Sequence, residues 1–468
     1  MHPFSPLPPP DRKSHRPPAR ARAGRLARLT PALPALLILG LSVALWADSA
    51  ARDPGVRGGP PGAGQPFPTL TAEQQAFFDA GQESFASVNT VQGDDDPGLG
   101  PRFNLDSCAG CHAHPAVGGT SPFVNPQVAV ATKDGATNTV PFFILPDGPV
   151  REVRFKQNRD GTPDGGVHQL YTITGRTDAP GCVLAQPNFE AEARRDNLTF
   201  RIPTPVFGAG LIAAVTDATI LANLAANAAL KRSLGIGGRA NRNGNDGTIT
   251  RFGWKAQNVS LPVFSGEAYN VEQGVTNELF PNEIDQTPGC TFSPTPEDRT
   301  NLAGATPVEV ASDIVKFPMF MQFLAPPRPA PETPSIARGR AAFAEVGCAL
   351  CHTPTLTTGP SAVAVLANRP ANLFSDLALH RMGPGLADGI RQGSAGPDEF
   401  RTAPLWGLGQ RIFFLHDGRT RDLNEAILAH ASESHGPSGF SEANGVILRY
   451  RGLPERRKQD LLNFLRSL

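Results

Sequence analysis

Apolar positions recur at helical spacing in only a few stretches of the chain. The first starts at Thr71, a candidate N-cap with Gln74 three residues on, and runs through Phe77, Phe78 and Phe85. Asp217–Ser233 is rich in Ala and Leu and reads as a second helix, and Val308–Leu324 as a third. Later, Ser335 is expected to cap a helix reaching Val346, Asp422–Glu433 is helical in pattern, and Pro454 opens a last helix to Leu468 from a first-turn position that tolerates proline. Between residues 120 and 305 the pattern changes. Short β-branched or aromatic runs at Val140–Leu145, Val150–Phe155, His168–Thr174, Leu198–Ile202 and Thr248–Trp254 are divided by Gly, Asp and Asn, as strands are.

Two stretches punctuate this pattern. Residues 325–334 (APPRPAPETP) hold five prolines in ten positions, which neither a helix nor a central strand accepts; they read as a semi-rigid linker and the clearest boundary. At the other extreme, the basic stretch Arg12–Arg28 is followed by an apolar run from Leu29 to Trp46 and by the small residues Ala47, Ser49, Ala50 and Ala51. That is the order of a secretory signal. Cleavage near Ala47–Ala51 is expected, because Pro31 and Pro34 shorten the helical part of the run; an uncleaved anchor, and with it membrane attachment, is the alternative. Residues 1–51 are therefore assigned to the signal or anchor, 52–70 to a flexible Gly/Pro-rich leader, and the bulk of the chain to the periplasm or another exported location.

Composition sharpens the picture in three ways. The 468 residues exceed a single typical domain. Lys and Arg (43) balance Asp and Glu (43), so no generic nucleic-acid-binding surface is expected. Six cysteines are too few for a disulfide scaffold of this length.

Their placement is informative. Cys108-Ala-Gly-Cys111-His112 and Cys348-Ala-Leu-Cys351-His352 share the CxxCH spacing of c-type haem attachment. Two thiols three positions apart can each bond a haem vinyl group, and the adjacent histidine can turn its ring under the iron. A zinc ribbon would place its CxxC pairs far closer together, and a thioredoxin-like site lacks both the histidine and its βαβ context here. Each motif lies between an earlier and a later helix, which predicts a mainly α protein of two cytochrome c-like domains: residues 71–324, with a large loop- and strand-rich insertion at 120–305, and residues 335–468. Cys182 and Cys290, each beside Gly and Pro in the insertion, are expected to form a disulfide; two buried thiols, or one thiolate ligating a haem, are the alternatives.

Around these motifs the chain resembles the bacterial dihaem c-type oxidoreductases, a group of peroxidases and thiol oxidoreductases distantly similar to dihaem cytochrome c peroxidases. The resemblance rests on GLGPRFNLDSCAGCHAHPAVGG (98–119), RIPTPVFGAGLI (201–212), TRFGWKA (250–256), GVTNELFP (274–281), GRAAFAEVGCALCHTP (339–354), DLALHRMGPGLAD (376–388), FRTAPLWGLG (400–409) and FLHDGRTRDLNEAILAH (414–430), and spans roughly residues 70–468. It implies two covalently attached haems c, with Cys108, Cys111, His112, Cys348, Cys351 and His352 as attachment and proximal residues.

Met382 lies in a Gly/Pro-rich loop after the second motif, and with the resemblance it becomes the expected sixth ligand of the second haem; His380 is its rival. Arg401 and His416 are expected to line the same haem. Met319 and Met321 read as core packing, His430 as a packed or exposed helix residue, and His114 is too close to His112 to reach the opposite face of its haem. His168 sits in a strand-like run, so the first haem has no evident sixth ligand and is expected to be open. Trp254 and Trp406 could lie between the haems or simply pack. No distal acid–base pair is evident; Glu267, Glu272 and Gln273 are the candidates.

Three functions stay open at this level: an enzyme passing electrons between a small carrier protein and a small oxidant such as hydrogen peroxide, an electron carrier with no substrate, or an oxidase of thiol or sulfur compounds.

Overall fold

The computed structural model describes residues 50–93, 96–432 and 439–468. Residues 1–49, which carry most of the expected signal or anchor, lie outside the described residues, and so does Glu433. Among the described residues no helix is long and apolar enough to cross a membrane. About a third of the chain is helical and about a tenth is strand, so the protein is mainly α.

The five longest helices among the described residues are labelled α1 (Ala72–Ala86), α2 (Leu261–Gln273), α3 (Asp313–Phe323), α4 (Pro334–Val346) and α5 (Glu455–Ser467). They explain how each CxxCH is held. Helix α1 starts as its sequence dictates: the Thr71 hydroxyl accepts from Gln74 N (3.2 Å), and the Gln74 side chain accepts from Thr71 N (3.1 Å). It packs on α3 through Phe78, Phe85, Phe317 and Phe320. Helix α4 packs on α5 in the same way, through Phe343 and Phe464. Both crossings need a glycine at the contact. A Cβ on Gly81 would strike the Lys316 carbonyl, and one on Gly339 the Asp460 carbonyl. Each CxxCH thus follows the first helix of one of two similar crossings and precedes the second.

Three buried apolar cores stand behind these crossings. One surrounds α1 and α3 and also recruits Leu356, Leu373 and Trp406 from beyond the Pro-rich segment. A second surrounds α4 and α5 and recruits Ile236 from before it. The third belongs to the 91–292 region and includes Phe103, Val153, Tyr171 and the Cys182–Cys290 disulfide. Because the cores exchange residues, the described residues belong to one compact unit.

The structure corrects several local expectations. The region 120–305 holds five helices of six or more residues, including the whole of α2, and is not purely loops and strands. Asp217–Ser233 is broken at Asn227, whose φ of 56° is left-handed. Val308–Leu324 is two helices, Pro307–Val310 and α3. Thr333, not Ser335, caps α4, with Pro334 at its first position. Val140–Leu145 forms no strand, since Pro141 and Pro146 bracket turns there; the remaining runs shrink to antiparallel pairs such as Glu152–Phe155 with Leu198–Arg201.

The expected flexible leader is tied down. Arg57 N and Nη1 donate to Gly409 O (2.7 Å) and Ser467 O (2.8 Å), Asp53 pairs with Arg466, and Phe67 is buried. The Pro-rich segment runs beside this stretch, with Ala325 N donating to Gln65 O and Arg328 N to Gly62 O.

Candidate functional site

Each CxxCH opens onto its own cavity. Cys108, Cys111 and His112 line the first; Cys348, Cys351 and His352 line the second. The four thiols are free of disulfides, and burial pushes Cys108 and Cys348 up to about 12. In both motifs the histidine Nδ1 is taken up by a backbone carbonyl: His112 with Gly119 O and His352 with Phe374 O, each at 3.0 Å. A carbonyl accepts only from N–H, so each ring keeps a bare Nε2, the tautomer that ligates a metal. Burial lowers both rings to about 4, which keeps them neutral at neutral pH.

The second cavity is mostly apolar. Met382 lines it, as expected for a ligand, and so do Arg401 and His416. His380 also reaches its edge, but both ring nitrogens are engaged, Nε2 with Asp376 (2.9 Å) and Nδ1 with Glu442 (2.7 Å). Burial would lower its pKa, yet Asp376 and the Cys351 sulfur raise it well above the ordinary value. A doubly bonded, charged imidazolium has no lone pair for iron, which leaves Met382 the better placed of the two. Arg401 and Arg411 are buried in this wall, and burial holds each at about 10. Arg401 donates from Nε to Gly253 O (2.9 Å), while its Nη1 has no partner. A buried cation with an unmet donor fits the carboxylate arms of a haem. His430, read as an ordinary helix residue, lies just past its helix and lines this cavity, with Nδ1 bonded to Ala426 O.

The first cavity is polar on one wall. The antiparallel pairing sets Glu152 opposite Arg201, and strand alternation brings Arg154 to the same face. Arg151 Nε and Arg201 Nε are buried without partners, again matching an anionic group. Helix α2 supplies Glu272 and Gln273 from its last turn; Gln273 Nε2 donates to Cys108 Sγ (2.9 Å). Asn104 Nδ2 donates to Glu272 Oε2 (2.8 Å). Glu272 and Glu152 hydrogen-bond each other. Burial and the Glu152 charge push Glu272 far above the ordinary carboxyl range; burial acts on Glu152 too, but Arg154 and Arg201 outweigh it and hold Glu152 low. The two titrate as a coupled pair, in which a proton is favoured on Glu272 rather than Glu152.

Sequence reasoning weighed Glu272 and Gln273 but missed Glu152, Arg154 and Arg201. Their signal is the alternation of charged and apolar residues along Glu152–Phe155. Glu267 is drawn away to Asn258, and His168 stacks on Phe155 and bonds Asp164 outside both cavities. His114 bonds Gln410 O (2.7 Å). Met319 packs on the first core as expected; Met321 belongs to that core and also lines the first cavity. Trp406 packs in the core against Gly208. Trp254 lines both cavities, its Nε1 donating to Ile202 O (2.9 Å).

The family described as "Di-haem oxidoreductase, putative peroxidase" matches residues 153–468, about two-thirds of the chain, beginning after the first CxxCH. No curated protein matches. Among solved structures, a MauG-like protein associated with microbial copper homeostasis is 20% identical, with a TM-score of 0.25, over 35% of this chain; the chain spans 55% of that protein's length. The diheme peroxidase BthA from Burkholderia thailandensis E264 is 15% identical, with a TM-score of 0.35, over 86% of each chain. Hydrazine synthase from Kuenenia stuttgartiensis is 13% identical, with a TM-score of 0.34, over 89% of this chain and 97% of that one.

Proposed function

The chain belongs to the di-haem oxidoreductase family, and on that premise we propose that it is an exported c-type peroxidase. In this reading Cys108, Cys111 and His112 hold one haem and Cys348, Cys351 and His352 the other, both covalently. A small redox carrier protein delivers electrons at the second, and hydrogen peroxide is reduced at the first. Residues 71–324 and 335–468 are two cytochrome c-like domains, the first enlarged by residues 120–305; the paired glycine crossings at Gly81 and Gly339 support that division.

Bound haem supplies the iron redox chemistry. What the chain supplies is placement and protons. Reducing peroxide to two waters consumes two electrons and two protons. Glu272 holds a proton in the first cavity at neutral pH, Glu152 stays ionised beside it, and Asn104 fixes the Glu272 carboxyl. That arrangement is a general acid with its conjugate partner in place. The second cavity, among the described residues lining it, has one carboxylate, Glu442, and His380 occupies it. The Glu152–Glu272 pair is the observation that carries the assignment of peroxide to the first site.

Met321 favours a second reading, an electron carrier in which its sulfur closes the first haem. Cyanide or azide titration of the ferric protein separates the two. The peroxidase reading expects one haem to bind the anion and peroxide to oxidise the reduced protein rapidly. If neither anion binds at either haem and peroxide reacts no faster than with a six-coordinate cytochrome, the carrier reading replaces it.

A further inference from the structure

Lys255 is fully buried, directly after Trp254, which lines both cavities. Its ammonium donates to Gly396 O and Glu399 O (2.9 Å each), pairs with Asp388 Oδ1 (3.0 Å), and stands 4.1 Å from the centre of the Phe400 ring. Phe400 stacks on His416 at 4.3 Å, and both line the second cavity. The other oxygen of Asp388 accepts from Arg201 Nη2 (2.7 Å), and Arg201 lines the first cavity. One carboxylate therefore serves two buried cations, one beside each cavity.

We infer that Lys255 is a tuning residue shared by both redox sites, its charge favouring the arrival of an electron in either cavity. The reasoning is electrostatic. A buried cation in a medium of low permittivity acts over a longer range than one in water. It stabilises whichever neighbour gains negative charge, and the trio touches the linings of both cavities. The charged groups facing Lys255 are Asp388, Arg201 and Asp398; Glu399 turns its carboxylate to Arg239 instead. Burial, reinforced by Arg201 and opposed by Asp388, lowers the ammonium to about 8. Above that pH Lys255 loses its charge and both sites become harder to reduce. By linkage, an electron arriving at either site draws a proton onto Lys255.

The inference rests on the two-haem reading, and the experiment keeps the two apart. In the full-length haem-loaded protein, the potentials of both haems are followed by spectroelectrochemistry from about pH 6 to pH 10. Both should fall with rising pH through the region around pH 8. In Lys255→Met, both should be lower at pH 7 and flat across that region, meeting the unaltered protein at high pH. Proton uptake on reduction of the unaltered protein needs no variant: it should be measurable at pH 8 and absent at pH 6. A variant that keeps the slope at either haem, or no uptake at pH 8, overturns the inference. Haem content reads the underlying assignment separately: fewer than two haems per chain overturns both, whereas two haems with pH-independent potentials overturns this one alone.

Discussion

Glu152 and Glu272, one on a strand and one at the end of a helix, meet in the wall of the first cavity, and their coupling favours a proton on Glu272. Neither is remarkable in its local sequence. If that proton serves peroxide reduction, Glu272→Gln should lower the rate of peroxide consumption by about 10²–10⁴-fold, the usual worth of a general acid. Haem content and the spectrum of the second haem should not change. Stopped-flow reaction of the reduced variant with peroxide, beside a haem assay, checks this.

The four CxxCH thiols are free of disulfides, and the proposed covalent attachment would rest on them. Cys111→Ala and Cys351→Ala should each weaken or remove one attachment and leave the other haem bound. Haem staining of denatured protein, produced with a haem-attachment system, reads the result directly. A chain that never carries more than one haem would contradict the pairing of motifs with cavities.

Met382 and His380 are the two candidates for sixth ligand of the proposed second haem, and Asp376 and Glu442 hold both nitrogens of His380. A thioether raises haem potential relative to imidazole. Met382→His should therefore lower the potential of one haem and leave the other nearly unchanged, while Met382→Ala should turn one low-spin signal high-spin. An unchanged low-spin EPR spectrum in Met382→Ala would point to another ligand, and His430 would be next to test.

The Cys182–Cys290 bond closes a separation of 108 residues around the third core. On the chain-entropy view a loop of this size stabilises by up to about 4–5 kcal/mol. Replacing both cysteines by alanine should lower the denaturation midpoint under oxidising conditions, and reduction should do the same to the unaltered protein. Urea titration with and without reductant measures it.

Asp53 and Arg466 form a bidentate pair (2.7 and 2.5 Å) with both side chains nearly inaccessible. Burial alone would raise the Asp53 pKa, but Arg466 and the amides of Gly55 and Leu423 outweigh it, so the folded value is depressed. A depressed carboxylate contributes stability above its unfolded pKa of about 4 and loses it as pH falls through the folded value. Asp53→Asn should cost about 2 kcal/mol at pH 7, and its deficit should close below about pH 4. Chemical denaturation at the two pH values decides it.

What could be read from sequence followed a simple division. Features written in neighbouring residues were legible: the CxxCH spacing, the Thr71–Gln74 cap, and Pro454 ahead of the last helix. Helix α2 was missed although Ser260 caps it, Pro262 sits in its first turn and Gly274 ends it; its buried face carries Ser265, Gly266, Asn270 and Gln273 beside Leu261 and Tyr269, so no clean apolar stripe marks it. Features made by distant residues were illegible. Nothing near Glu272 announces Glu152, and nothing near Trp254 shows that it faces two cavities. Met382, Arg401 and His416 were found only through the family resemblance, and the structure gathers all three at the second cavity.

The docked stretch ahead of α1 has a consequence for the order of events in biosynthesis. Asp53 and Arg57 bond to Arg466 and Ser467, which are made more than a hundred residues after the second CxxCH. No ribosome has made those partners while either CxxCH is emerging, so this clasp cannot shut early over an unfinished chain. A product truncated after Leu465 would retain every thiol, histidine and carboxylate discussed above and still leave its first segment unfastened.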